Sequence, residues 1–361
     1  MTSLYQKRIE KVQKEMEARG MDQLIVSEEA ALFYLTGLSI DAGERLTVLL
    51  LSRDEGPFFV ANRLFPVTSA GFPVKWYSDG EDGMALLSRA LYPDGAVAVD
   101  KTWPSLFLID LLSRRPDITF SNGSPAVDAV RAVKDTEEIR LMKDASLAND
   151  RAMERLIRWL HPGVTERKAA QQLKTFYEEE GAEDVSFPPI ISFGPAGADP
   201  HHMADDTVLA ENTPVLIDIG CKKKGYASDM TRTLFYGQPT EEFLQVHRIV
   251  CAANEKAESL VRPGIPLRDL DRAARNVIEN AGYGPQFTHR LGHFIGQTDH
   301  EAGEVSSSSD LTARPGMIFS IEPGIYLPGR FGVRIEDLVL VTEEGCEILN
   351  RVSKSPFFPK D

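Results

Sequence analysis

The sequence predicts an α+β protein of two domains: a smaller N-terminal α/β domain over residues 1–131 and a larger domain over 132–361, in which helix pairs alternate with β-hairpins. Three observations carry this. Short buried strand patterns alternate with helical ones up to about residue 131, a helix–helix–hairpin order then occurs twice, and each of those hairpins bears a pair of acids.

In the first domain Ile9, Val12 and Met16 recur at helical spacing. Gln23 to Ser27, Leu46 to Ser52, Phe58 to Ala61, Val74 to Tyr77 and Ala96 to Val99 read as buried strands, with helical stretches at Met84 to Leu91 and Leu106 to Leu112. No phosphate-binding glycine fingerprint or acid/His cluster occurs here, so a supporting or substrate-gating role is expected. The boundary falls near Val127 to Lys134, after a predicted loop at Ser121 to Pro125.

Thr136-Glu137-Glu138 then opens a long amphipathic helix, and a second helix follows Pro162-Gly163 and runs to Gly181. Thr240-Glu241-Glu242, Pro263-Gly264 and Gly282 repeat that order. The same interval separates Thr136 from Asp218 and Thr240 from Glu322, which reads as an internal duplication offset by about 100 residues.

The first hairpin spans Pro214 to Phe235, with a break at Lys222 to Gly225. A turn centred between Lys223 and Lys224 would set Asp218 opposite Asp229, roughly 5 Å apart on one face. In the second, a turn centred on Gly329 opposes Glu322 and Glu336. Like charges so placed repel, and the apolar strands around them offer little water, so a bound cation accounts for both pairs. Four acids with a nearby His293 form a hard-oxygen donor set suited to two divalent ions of the manganese, cobalt or zinc kind, which would activate water for hydrolysis. Five of the seven histidines fall in two loops: His201 and His202, then His289, His293 and His300. The second loop is not H-E-x-x-H, which disfavours a single-zinc helical site. One imidazole would complete the ligand set, leaving the others for acid/base or oxyanion work, whereas His161 and His247 sit on helix patterns.

The net charge of −14 argues against nucleic acid and anionic membrane as partners. Cys221, Cys251 and Cys346 form no disulfide or thiolate-metal spacing, charges interrupt the start where a signal peptide needs an apolar run, and no stretch is long enough to span a bilayer. A reducing cytoplasm is the expected compartment.

The strings D-I-G with S-D-M-T-R-T, H-R-L-G-H-F-I-G, D-H-E, S-I-E-P-G-I-Y and G-V-R-I-E-D, in this order across about 132 to 350, resemble the metallopeptidases that include methionine aminopeptidase, aminopeptidase P and prolidase. The N-terminal domain is similar to that of the prolidase and aminopeptidase P branch. The resemblance implies a pita-bread catalytic domain, two metal ions, a homodimer, and Asp218, Asp229, His293, Glu322 and Glu336 as ligands, with Asp229 and Glu336 bridging or bidentate. It also implies a substrate-facing His201, an intermediate-stabilising His300, and substrate contacts from His289 and Arg334. One departure is Phe294 to Asp299, where the family has a smaller residue after the ligand His and an apolar, acidic, apolar run before H-E.

The expected activity is hydrolysis of the bond before proline in dipeptides or short peptides, with Glu322 moving the proton and His300, aided by His201, steadying the oxyanion. Xaa-Pro dipeptidase is favoured over aminopeptidase P. Arg334, the histidines, or Asp41, Glu44 and Arg45 would read the free carboxylate, although the latter three also fit an ordinary solvated turn. A creatinase-like relative without this metal set, or a binding module with eroded ligands, is disfavoured because all five ligand types are present.

Overall fold

The computed structural model describes residues 3–65 and 67–358. The chain divides into two compact units, Met1–Arg131 and Ala132–Asp361.

The first unit runs α1 (Ser3–Ala18), β1 (Gln23–Val26), α2 (Glu29–Thr36), β2 (Thr47–Ser52), β3 (Phe58–Asn62), β4 (Val74–Tyr77), α3 (Gly83–Ala90), β5 (Ala96–Val99), α4 (Ser105–Arg114), β6 (Thr119–Asn122) and α5 (Ser124–Arg131). Among the described residues the strands form one sheet, ordered β4-β3-β2-β1-β5-β6. Its central strands are apolar on both faces: Leu24 and Val26 join one core with Val12 and Met16, while Ile25 joins another with Leu50, Leu87 and Val97. Three elements differ from the expectation. Ser121 and Asn122 belong to edge strand β6 and Ser124 and Pro125 to α5, where a loop was expected. β6 (T-F-S-N) is largely exposed and has no apolar alternation, so only its ladder with β5 defines it. Helix α2 buries Ala31, Leu32, Tyr34 and Leu35 around most of its circumference, which erases the amphipathic contrast that marks a helix.

The second unit runs α6 (Thr136–Trp159), α7 (Glu166–Glu179), β7 (Asp184–Val185), β8 (Ile190–Phe193), β9 (Thr213–Ile219), β10 (Cys221–Lys223), β11 (Tyr226–Ala227), β12 (Met230–Tyr236), α8 (Glu241–Glu258), α9 (Leu267–Asn280), β13 (Gly292–Phe294), β14 (Glu301–Val305), β15 (Ile318–Ile321), β16 (Gly324–Leu327), β17 (Phe331–Arg334), β18 (Asp337–Val341) and β19 (Cys346–Ile348). Asp135 caps α6 in a reciprocal box with Glu138, and Thr240 caps α8 through the Phe243 amide. The sheets repeat one plan: β8-β9-β12 in the first half, and β13-β15-β18 within a larger sheet in the second. Smaller details repeat as well. Asn149 of α6 donates to the Ile219 carbonyl and Asn254 of α8 to that of Ile321, each at 2.9 Å. The bridge Thr165–Val208 has its counterpart in Pro266–Thr312.

The first hairpin turns one residue later than expected. β10 and β11 pair Lys223 with Tyr226, and the connecting Lys224 and Gly225 both have positive φ, 52° and 77°, as a two-residue type I′ turn requires. Moving the centre by one residue moves the partner by two, so Asp218 faces Thr231 rather than Asp229. The parity survives: Asp229 is diagonal to Asp218 on the same face. In the second hairpin Ile321 faces Asp337 and Gly324 faces Arg334, which sets Glu322 across from Glu336 as expected. Two glycines let backbones meet near these acids. A Cβ on Gly220 would lie 2.1 Å from the Ser228 carbonyl oxygen, and one on Gly292 would lie 1.9 Å from that of Ser320.

Candidate metal centre

Asp218 is the penultimate residue of β9, Asp229 precedes β12, His293 lies within β13, and Glu322 and Glu336 occupy the breaks before β16 and β18. The fold brings all five onto one cavity of about 670 Å³, together with His201, His289, His300 and Arg334. Ligating atoms of Asp229, His293 and Glu336 lie within 4.8 Å of one another. His293 Nε2 is 3.5 Å from Asp229 Oδ2, 3.5 Å from Glu322 Oε1 and 4.0 Å from Glu336 Oε1. Its Nδ1 is 3.2 Å from the Phe294 carbonyl oxygen, so the neutral ring keeps its proton there and turns the Nε2 lone pair toward the acids.

The surrounding donors satisfy one oxygen of several acids and leave another open. Thr231 Oγ1 donates to Glu336 Oε2 at 2.7 Å, and Arg334 Nη2 pairs with Asp218 Oδ2. Asp218 Oδ1, Asp229 Oδ1 and Glu336 Oε1 are buried without a hydrogen-bond partner. Orphaned carboxylate oxygens converging on one space cost free energy that bound cations would remove, and two divalent ions would balance four carboxylates. The residues therefore fit a dinuclear site.

Burial holds Asp229 and Glu336 well above the ordinary carboxylate range, with their neighbouring acids adding to it, and burial also raises Asp218 against the pull of Arg334. For Glu322 burial again pushes upward, but His293, His289 and Arg334 together bring it below its ordinary value. Without a cation, the three raised acids hold protons in the folded state that the unfolded chain has already lost, from just above 3.8 for Asp and 4.5 for Glu upward. Their contribution to stability therefore falls as pH rises through that window. Cations need the deprotonated acids, so loading chelator-treated protein is expected to release protons, and the gain in melting temperature on loading to grow from about pH 5 to about pH 8. Calorimetry in buffers of different ionisation enthalpy and thermal melts check both. A pH-independent gain would count against these acids as the ion site.

The histidines divide by what already holds them. The His300 ring stacks on that of His293 at 3.8 Å and 21°, and burial, then His293, pushes it down to about 4. Arg290 Nη2 lies 3.1 Å from His300 Nδ1, so the neutral ring carries its proton on Nε2. His289 Nδ1 donates to the Arg290 carbonyl and its Nε2 accepts from Tyr326 OH, each at 2.8 Å, leaving mainly a ring face for a substrate. His201 is exposed on the cavity, whereas His202 is held by Glu166 Oε2 at 2.7 Å. Glu166, wholly buried at the start of α7, also accepts from the Phe193 and Asp205 amides and so ties down the loop bearing His201. Arg334 lines the cavity but is committed to Thr231, Tyr326 and Asp218. Arg45 is engaged by Asp79 at 2.9 Å through both Nε and Nη2. Phe294, the departure noted in the sequence, packs in the core against Phe319, so only Asp299 of that stretch enters the cavity. Sequence reasoning missed Thr231, Glu166, Arg290 and Tyr326, which act through neighbours distant in the chain. Thr231, Arg290 and Tyr326 lay in quoted strings but were given no role there, and Glu166 lay outside them.

Two family models match: the creatinase/prolidase N-terminal domain over residues 8–133 and metallopeptidase family M24 over 140–343. The chain belongs to metallopeptidase family M24. The pita-bread fold expected for the catalytic part of this M24 chain is borne out, and the protein is a peptidase of a metal-dependent family. A Staphylococcus aureus protein described as an uncharacterized peptidase is 33% identical over 357 residues, covering 96% of the M24 chain and 99% of its own length. A dipeptidase from Mycobacterium ulcerans is 35% identical with a TM-score of 0.94, covering 99% of each chain. A recombinant prolidase from Thermococcus sibiricus is 33% identical with a TM-score of 0.94, covering 99% of the M24 chain and 100% of its own. Among the described residues of the M24 chain, no helix is long and apolar enough to cross a membrane.

Proposed function

We propose that this chain is an Xaa-Pro dipeptidase. The observation that carries the reading is the convergence of five metal-capable side chains, with orphaned oxygens, on a cavity edged by His201 and His300 in a family whose solved relatives include a dipeptidase and a prolidase.

Asp218, Asp229, His293, Glu322 and Glu336 hold two divalent ions, with manganese preferred over cobalt or zinc because four of the five donors are carboxylates. When bound, such ions activate water and polarise the scissile carbonyl. Glu322 takes the proton of the attacking water and returns it to the prolyl nitrogen, which lacks an N–H and must be protonated to leave. The Nε2–H of His300 donates to the carbonyl oxygen as charge develops, with His201 closing the other side. The prolyl bond is a tertiary amide of restricted geometry, which suits a dedicated pocket rather than a general one. A homodimer in the cytoplasm completes the proposal, in keeping with three free cysteines.

The test compares hydrolysis of Ala-Pro and Ala-Pro-Ala by manganese-loaded and chelator-treated protein. Manganese-dependent cleavage confined to Ala-Pro is expected. Preference for Ala-Pro-Ala would make the chain an aminopeptidase P, and undiminished cleavage after exhaustive chelation would end the dinuclear reading.

A further inference from the structure

We propose that Arg290 reads the C-terminal carboxylate of the substrate, and so makes dipeptides ending in a free acid the preferred substrates of this chain. The proposal rests on the prolyl-peptidase reading and adds the group that selects substrate length.

Arg290 and Arg334 are the two guanidinium groups on the cavity. Arg334 has a side-chain exposure of 3%, and Thr231, Tyr326 and Asp218 engage its nitrogens. Its charge is needed where it stands. Arg290 is 36% exposed along its side chain, donates through Nη2 to His300, and reaches Glu304 Oε2 through Nη1 at 3.4 Å. Among the described residues its other N–H groups are uncommitted. The Glu304 contact is long and half-exposed, which makes it weak. Glu304 also accepts from Ser306 Oγ at 2.6 Å and Ser308 Oγ at 3.3 Å, so losing Arg290 leaves it hydrogen-bonded. A planar fork with spare donors facing a cavity is the arrangement that binds a carboxylate bidentately.

The position matches the length of the ligand. His300 stacks on His293 on one side and accepts from Arg290 on the other, so one imidazole separates the proposed metal ligands from the guanidinium. In a dipeptide the free carboxylate lies one residue, about 3.8 Å, beyond the scissile carbonyl. A longer peptide would place a neutral amide there and carry its chain onward past Arg290. Besides the proposed ligands, Asp299 is the acid on this cavity, so an incoming carboxylate needs a cation with free donors to outweigh it.

Steady-state kinetics on Ala-Pro and its amide Ala-Pro-NH2 test this in metal-loaded wild type, Arg290→Ala, Arg290→Lys and Glu304→Gln. Wild type is expected to favour the acid through KM. Arg290→Ala should raise KM for the acid about 10- to 100-fold, the loss expected for a charge-assisted contact, and leave that for the amide nearly unchanged. Arg290→Lys should recover part of the preference, and Glu304→Gln, which removes the competing acid, should lower KM for Ala-Pro. If Arg290→Ala does not fold, these last two variants carry the test, and an unchanged acid-to-amide ratio in both overturns the proposal. A fall in kcat with that ratio intact in Arg290→Ala also overturns it, because the side chain then acts only through His300. Wild-type cleavage of amide and acid with equal KM sinks the proposal while the prolyl-peptidase reading stands. Failure to cleave either sinks both.

Discussion

Replacing Glu322 by Gln is expected to lower kcat on Ala-Pro by about 10²- to 10⁴-fold with little change in KM, the range for loss of a positioned acid–base group. Glu322 accepts from Ser320 Oγ at 3.1 Å and lies 3.5 Å from His293 Nε2, and Gln keeps the size and one acceptor oxygen in that place. What it loses is the charge and the capacity to take a proton. Among the four acids, Glu322 is the one that its surroundings hold ionised, because His293, His289 and Arg334 outweigh the burial that raises the other three. A neutral amide therefore removes a charge that these surroundings stabilise. Elemental analysis of the variant separates two ways of losing rate. With two ions retained and kcat reduced, the proton role stands, and a near-normal rate would falsify it.

The largest expected effect on stability comes from Arg232, among the largest fully buried side chains of the protein. Its Nη1 donates to the Glu336 carbonyl at 2.7 Å and to that of Thr231 at 2.9 Å, its Nε to Val352 at 3.0 Å, and its Nη2 to Asp337 Oδ1 at 2.6 Å. One guanidinium thus joins β12, Glu336 with the start of β18, and the segment after β19. Arg232→Ala strands Asp337 with Lys354 as its remaining cation and leaves buried carbonyls without a donor. Removing one partner of such a buried pair costs about 3–5 kcal/mol. In a unit of this size that corresponds to a fall of about 10 °C in melting temperature, measurable by calorimetry on the metal-free protein. Arg232→Lys keeps the charge but cannot span all these acceptors, so an intermediate loss is expected. A change within a degree or two for the Ala variant would show that the network contributes specificity rather than stability.

The parts of the fold legible in the sequence were those written in local chemistry. Gly329 sits where the second hairpin turns, and the register that opposes Glu322 and Glu336 follows from it. The first hairpin was harder because three consecutive lysines hide which of them takes the left-handed position. Lys224 does, beside Gly225, and the acids become diagonal instead of opposed. Strand β6 and helix α2 escaped for opposite reasons, one too polar and the other too uniformly apolar to show a period. At the site, acids and histidines announced themselves by residue type. Arg290 and Glu166 did not, since an arginine in a loop and a glutamate opening a helix are ordinary until the chain folds them against His300 and His202.

The duplicated architecture also has a consequence for biogenesis. The proposed chelating groups are spread from Asp218 to Glu336, so a nascent chain that has emerged only as far as Tyr236 offers one aspartate pair and no imidazole from the second half. Such a fragment would lack His293, Glu322 and Glu336, three of the five proposed ligands. On the proposed ligand set, a pair of ions would be held only once the second half of the unit has folded against the first.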